Sequence, residues 1–155
     1  MKRLILLIPL LSAAAAAQVT CTLASLKGTY AVSYMGWLSV VEGSTTTTYP
    51  GTILGVISIG WDGKLSGGDA VAGFGPVVDY DIAGTVELKS DCTGTLHIKS
   101  QPRTGGQSET EVHRFVYNES KKTMYVAMVD LGPGVYPAIL GTWKLISPEP
   151  NAVSW

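Results

Sequence analysis

Apolar and polar residues alternate with a period of two along most of this chain, and no stretch of ten residues holds the 3.6 period of an amphipathic helix. From Lys27 to Leu38, bulky Tyr30, Val32 and Tyr34 alternate with Thr29, Ala31 and Ser33. From Thr52 to Trp61 an almost wholly apolar run, Ile53 to Ile59, ends at Trp61-Asp62-Gly63-Lys64. Asp-Gly between strand-like runs signals a hairpin, because glycine supplies the positive φ such turns need. Lys64 to Gly73 then reads as a returning strand interrupted by glycines. The cleanest alternation runs from Val78 to Lys89. Tyr80, Ile82, Val86 and Leu88 fall on one side and Asp81, Thr85, Glu87 and Lys89 on the other, which predicts one buried and one wet face. After a turn at Ser90-Asp91-Cys92, Thr93 to Gln101 places Leu96 and Ile98 inward and Thr95, His97 and Lys99 outward. Pro102 to Ser108 reads as a polar loop. Thr110 to Asn118 and Thr123 to Asp130 flank the turn Glu119-Ser120-Lys121-Lys122. Val135 to Ile146 is the last strand. Pro137 has no N–H for a ladder, so that end is expected to be unpaired or at an edge. The Thr45 to Thr48 run reads as a solvated loop after the first strand.

This pattern predicts an all-β fold of eight strands joined by short turns. With no helix-sized segment to act as a crossover, the connections must be local and antiparallel. An eight-stranded meander that hides its edges closes into a single up-and-down barrel. A two-sheet β-sandwich is the runner-up.

The amino terminus changes the picture of where the protein works. Met1-Lys2-Arg3 is basic, Leu4 to Leu11 is a short apolar run, and Ala13 to Ala17 offers small residues before Gln18. That is the layout of a secretory signal peptide over residues 1–17, with the apolar run too short to span a bilayer. The expected organisation is this leader, a barrel domain over 18–146 and a tail over 147–155. The mature chain would carry nine basic residues against 12 acidic ones, a net charge of −3. Such a sparsely charged, weakly acidic chain is unsuited to nucleic acid, which needs clustered Lys and Arg. In a secreted or periplasmic setting the two cysteines, Cys21 and Cys92, are read as one disulfide. A lipid anchor on Cys21 is the alternative, and Gln18-Val19-Thr20 before it fits that poorly. Two sulfurs and two scattered histidines show no metal-ligand spacing.

Three phrases stand in a recognisable order: Leu26-Lys27-Gly28-Thr29-Tyr30, Gly60-Trp61-Asp62-Gly63-Lys64-Leu65-Ser66-Gly67, and Asp91-Cys92-Thr93-Gly94-Thr95-Leu96. The order resembles a group of small secreted bacterial proteins, of the acidobacterial type, with the pattern Leu-x-Gly-x-Tyr, Phe-Asp-Gly-x-Gly, Asp-Cys-Thr-Gly-Thr. The resemblance covers most of the mature chain, and its specific part is Asp91 to Thr95. It departs in using Trp61 for the aromatic, where the pattern has Phe, and at Leu65, where glycine is usual. It implies a disulfide and an eight-stranded barrel of the allene oxide cyclase or lipocalin-like kind, and it supplies no catalytic residues.

Candidate chemistry is sparse. Pairing Asn118 with Thr123 places Glu111 opposite Asp130, His113 opposite Met128, Phe115 opposite Val126 and Tyr117 opposite Met124. One face then holds two carboxylates beside a histidine, and paired acids can push one pKa upward. The other face holds Arg114 among apolar residues, where a guanidinium could bind a carboxylate in bidentate fashion. Alternation leaves open which face looks inward. Glu111, His113, Arg114 and Asp130 are therefore the candidate ligand-binding residues, with a solvated rim as the plainer reading. Tyr30, Tyr34, Trp37, Trp61, Tyr80 and Trp143 could line a cavity or simply fill the core. There is no Gly-x-Ser-x-Gly elbow, and Gly67-Gly68-Asp69 and Gly73-Phe74-Gly75-Pro76 read as turns rather than a phosphate cradle. No catalytic residue and no cofactor are implied. The favoured function is a non-catalytic binding or structural module that holds a small apolar ligand. The alternative is an allene oxide cyclase-like isomerase or cyclase acting on a small apolar substrate.

Overall fold

The computed structural model describes residues 20–73 and 75–150. The expected leader lies outside them, as does the end of the tail. Among the described residues, eight strands follow one four-residue helix, α1 (Leu23–Leu26). They are β1 (Gly28–Glu42), β2 (Thr45–Ile59), β3 (Lys64–Ala72), β4 (Val78–Leu88), β5 (Thr93–Pro102), β6 (Glu109–Asn118), β7 (Thr123–Asp130) and β8 (Val135–Ser147). Each strand pairs antiparallel with its chain neighbour and β8 closes on β1, giving a closed up-and-down barrel. No helix among the described residues is long and apolar enough to cross a membrane.

The period-two pattern becomes an inside and an outside. Tyr30, Val32, Tyr34, Ile82, Val86, Leu96 and Ile98 are buried, while Asp81, Thr85, Glu87 and Lys89 are exposed. Tyr80 and Leu88 are half-buried and pack against the core. Ile82→Ala should therefore cost roughly 2–4 kcal/mol, through lost burial and the cavity left behind. Glu87→Ala should change stability by about 0.5 kcal/mol or less. Two urea melts compare them, and a larger loss for Glu87→Ala would contradict the inward face of β4.

One end of the barrel is plugged. Leu26 of α1 is wholly buried, and the Tyr30 and Tyr117 hydroxyls donate to the carbonyls of Leu26 (2.7 Å) and Ser25 (2.9 Å). Cys21 just before α1 is bonded to Cys92 in the β4–β5 turn, with Cα atoms 5.1 Å apart. The disulfide agrees with an oxidising compartment and leaves Cys21 no thiol for a lipid. The other end, at the β1–β2, β3–β4, β5–β6 and β7–β8 connections, has no such plug among the described residues.

Three details differ from the sequence reading. Thr45 to Thr48 is strand, not loop, paired with Ser39 to Glu42 across a two-residue turn. Consecutive β-branched threonines favour extended backbone even when solvated. Gly67-Gly68-Asp69 lies inside β3, paired on both sides with β2 and β4, because closing the barrel outweighs turn-like composition. Trp37 and Trp61 are exposed, whereas Tyr30, Tyr34 and Trp143 are core. Pro137 is paired with Leu38 of β1, and β7 pairing stops at Ile139, so the start of β8 is open on the proline's other side.

Candidate functional site

The unplugged end holds a cavity of about 420 Å³. Its two walls differ in chemistry. Leu38, Val40 and Ile53 of β1 and β2, with Met128, Leu131 and Val135 from β7 to β8, make an apolar wall. Facing them, β3 to β6 bring Asp69, Tyr80, Ser100, Glu109 and Glu111. No Lys or Arg lines the cavity among the described residues.

Glu111 joins this cavity to a buried hydrogen-bonded chain. Trp143 Nε1–H donates to Tyr34 Oη (2.7 Å), and Tyr34 Oη lies 2.9 Å from His113 Nδ1. His113 Nε2 lies 2.9 Å from Glu111 Oε2, and Ser100 Oγ donates to Glu111 Oε1. An indole can only donate, so Tyr34 accepts from it and gives its own proton to Nδ1. Nε2 then carries the ring proton and donates to Glu111, which receives a bond on each oxygen as the carboxylate. Burial holds the Tyr34 hydroxyl well above its ordinary pKa, which keeps it a donor. Gly141 makes the chain possible: it pairs with Tyr34, and a Cβ there would fall 2.3 Å from the Tyr34 ring.

Asp69 is the second centre. It pairs with Gly55 of β2, where a Cβ would lie 2.6 Å from the Asp69 Cβ, so the glycine clears its place. Asp69 Oδ1 is fully buried and has no hydrogen-bond partner. Burial, reinforced by the charge of Glu111, pushes the Asp69 carboxyl up to about 7. Burial and Glu111 raise Glu109 as well. The Asp69 carboxyl is thus near its midpoint at neutral pH.

This arrangement predicts a pH-dependent stability. Asp69 has an ordinary value of 3.8 and a higher one in the fold, so the folded state holds its proton more tightly. That stability is fully present below about pH 4 and is lost as pH rises through about 7; Glu109 acts in the same direction. Between pH 5 and 7.5 the unfolding free energy should fall by about 2 kcal/mol, and Asp69→Asn should flatten the profile. Urea melts across this window check it; a wild-type stability that is flat or rises would contradict it.

The four candidate residues separate. Glu111 and His113 face inward and touch, both buried. Arg114 is exposed on the outer face, beside Met35, Tyr125 and Leu140 in an open depression of about 590 Å³. Asp130 is exposed and lies opposite Val112 rather than Glu111. The expected register holds for His113–Met128, Phe115–Val126 and Tyr117–Met124, then shifts at an irregularity between Val112 and His113. The extra residue, Val129, leaves Asp130 one pair short of Glu111, and the Asp130 carboxylate instead accepts from the Gly132 N–H (2.8 Å). Asp69 escaped the sequence reading because two glycines precede it. Ser100 and Glu109 carried a signal: they continue the inward sets of Leu96 and Ile98 and of Glu111 and His113. Among the described residues no three His, Cys, Asp or Glu side chains converge to hold a metal ion. No family model, curated protein or solved structure matches the chain.

Proposed function

We propose that this protein is a binding barrel that holds a small, largely apolar molecule in its open end. The observation that carries the reading is the cavity of about 420 Å³, a volume within the usual range for small-molecule sites. Plugging one end with α1 and the disulfide leaves a cup rather than a solid core. The neutral dye N-phenyl-1-naphthylamine tests this. Its fluorescence should rise and saturate with the native protein, and Val40→Trp should fill the apolar wall and remove the response. No saturable response, or one indifferent to Val40→Trp, would sink the reading.

A second reading is an isomerase or cyclase of the allene oxide cyclase kind. It is favoured by Glu111, a carboxylate that lines the cavity while His113 hydrogen-bonds behind it. Here Glu111 would act as a base on a bound apolar substrate, with Asp69 as the nearby acid. A reactive allylic epoxide should then give product of one handedness with the native protein and racemate with Glu111→Gln. Racemate from both excludes this chemistry.

A further inference from the structure

The cavity's polar wall is acidic without a counter-charge, and this bears on what the cup can hold. Asp69, Glu109 and Glu111 line one side, and no basic residue lines any part of it among the described residues. Asp69 is faced by Tyr80 from β4, by Glu109 and Glu111 from β6 with His113 behind, and by Tyr34 from β1; β2 presents Gly55 to it. None of these groups neutralises it. Its Oδ1 is buried without a hydrogen-bond partner, while the carboxyl group as a whole lines the cavity.

We propose that the cup selects small amphiphilic cations, seating a protonated amine among Asp69, Glu109 and Glu111 and an aliphatic or aromatic body against Leu38, Val40 and Met128. The inference rests on the ligand-holding reading above and names the ligand class. An ammonium brings two or three N–H donors and a positive charge, which are what the acidic wall lacks. A neutral apolar ligand would leave the acidic wall without a donor or counter-charge, and a carboxylate would add like charge to it. Binding a cation should draw the proton off Asp69, so affinity should rise with pH through about 7.

Calorimetric titration with 2-phenylethylamine, 2-phenylethanol and 3-phenylpropionate separates these cases, because the three share a body and differ in the polar end. At pH 8 the amine should bind about tenfold more tightly than the alcohol, with the carboxylate weakest, and the amine should weaken about threefold or more by pH 6. Asp69→Asn should bring amine and alcohol to within about twofold of each other. Glu109→Gln, a change at an exposed position on the cavity wall, should narrow the gap in the same direction. Equal or better binding of the alcohol or carboxylate by the native protein overturns the cation proposal while the cup stands as a binding site. No binding of any of the three, together with no saturable dye response, overturns both.

Discussion

Replacing Trp143 by Ala is expected to cost about 4–5 kcal/mol, near the top of the range for a buried aromatic. Trp143 is wholly buried at the centre of the barrel, with the Tyr30 ring 6.4 Å away. The substitution removes the largest side chain of the core. It also takes the indole N–H from Tyr34, whose hydroxyl then keeps His113 as its partner and loses a donor. Neighbouring strands are held by ladders on both sides, so they cannot collapse into the space, and the cavity cost should be felt almost in full. Trp61→Ala is the control, because that side chain is 77 % exposed and should change stability by about 0.5 kcal/mol or less. Urea denaturation of both variants measures the difference. Similar losses from the two would mean that the β8 interior face has been misassigned.

Removing the disulfide should cost about 4 kcal/mol. Cys21 and Cys92 are 71 residues apart, and closing so long a loop restricts the unfolded chain by roughly that amount in the chain-entropy picture. The bond also anchors the plug, since the Cys21 N–H donates to Ser90 (3.1 Å) beside the same turn. A Cys21→Ala, Cys92→Ala double variant should still fold at low temperature, because the eight-stranded ladder does not pass through the bond. Its unfolding midpoint in urea should drop well below that of the native protein, and excess reductant should lower the native protein to the same midpoint. A loss under about 1 kcal/mol would contradict the role assigned to the bond.

The barrel was legible because its evidence is repeated. β4 alternates Ile82 and Val86 against Asp81, Thr85 and Glu87 with little ambiguity, and β5 does the same with Leu96 and Ile98. Turn chemistry at Asp62-Gly63 and at Glu119 to Lys122 fixed two hairpins. The site was half legible. Glu111 and His113 share a face by spacing alone, but which face looks inward depends on neighbouring strands. Asp130 was placed by counting pairs, and one irregularity breaks such a count. Asp69 follows Gly67 and Gly68, which mark a turn in isolation. In the barrel, Gly68 and Asp69 are held in the ladder by Val56 and Gly55 of β2 and by Asp81 and Tyr80 of β4. The plug was hidden because α1 is a single turn, too short to show a period, and is held by tertiary bonds rather than by propensity.

Methyl-resolved NMR during titration with 2-phenylethylamine tests most directly whether the open end of the barrel is the binding site. Shifts are predicted at Leu38, Val40, Ile53, Val71, Met128, Leu131 and Val135, whose side chains line the interior cup. Met35, Val116 and Leu140, around the outer depression, should stay unchanged. Shifts confined to the outer set, or no shifts at saturating amine, would contradict the account.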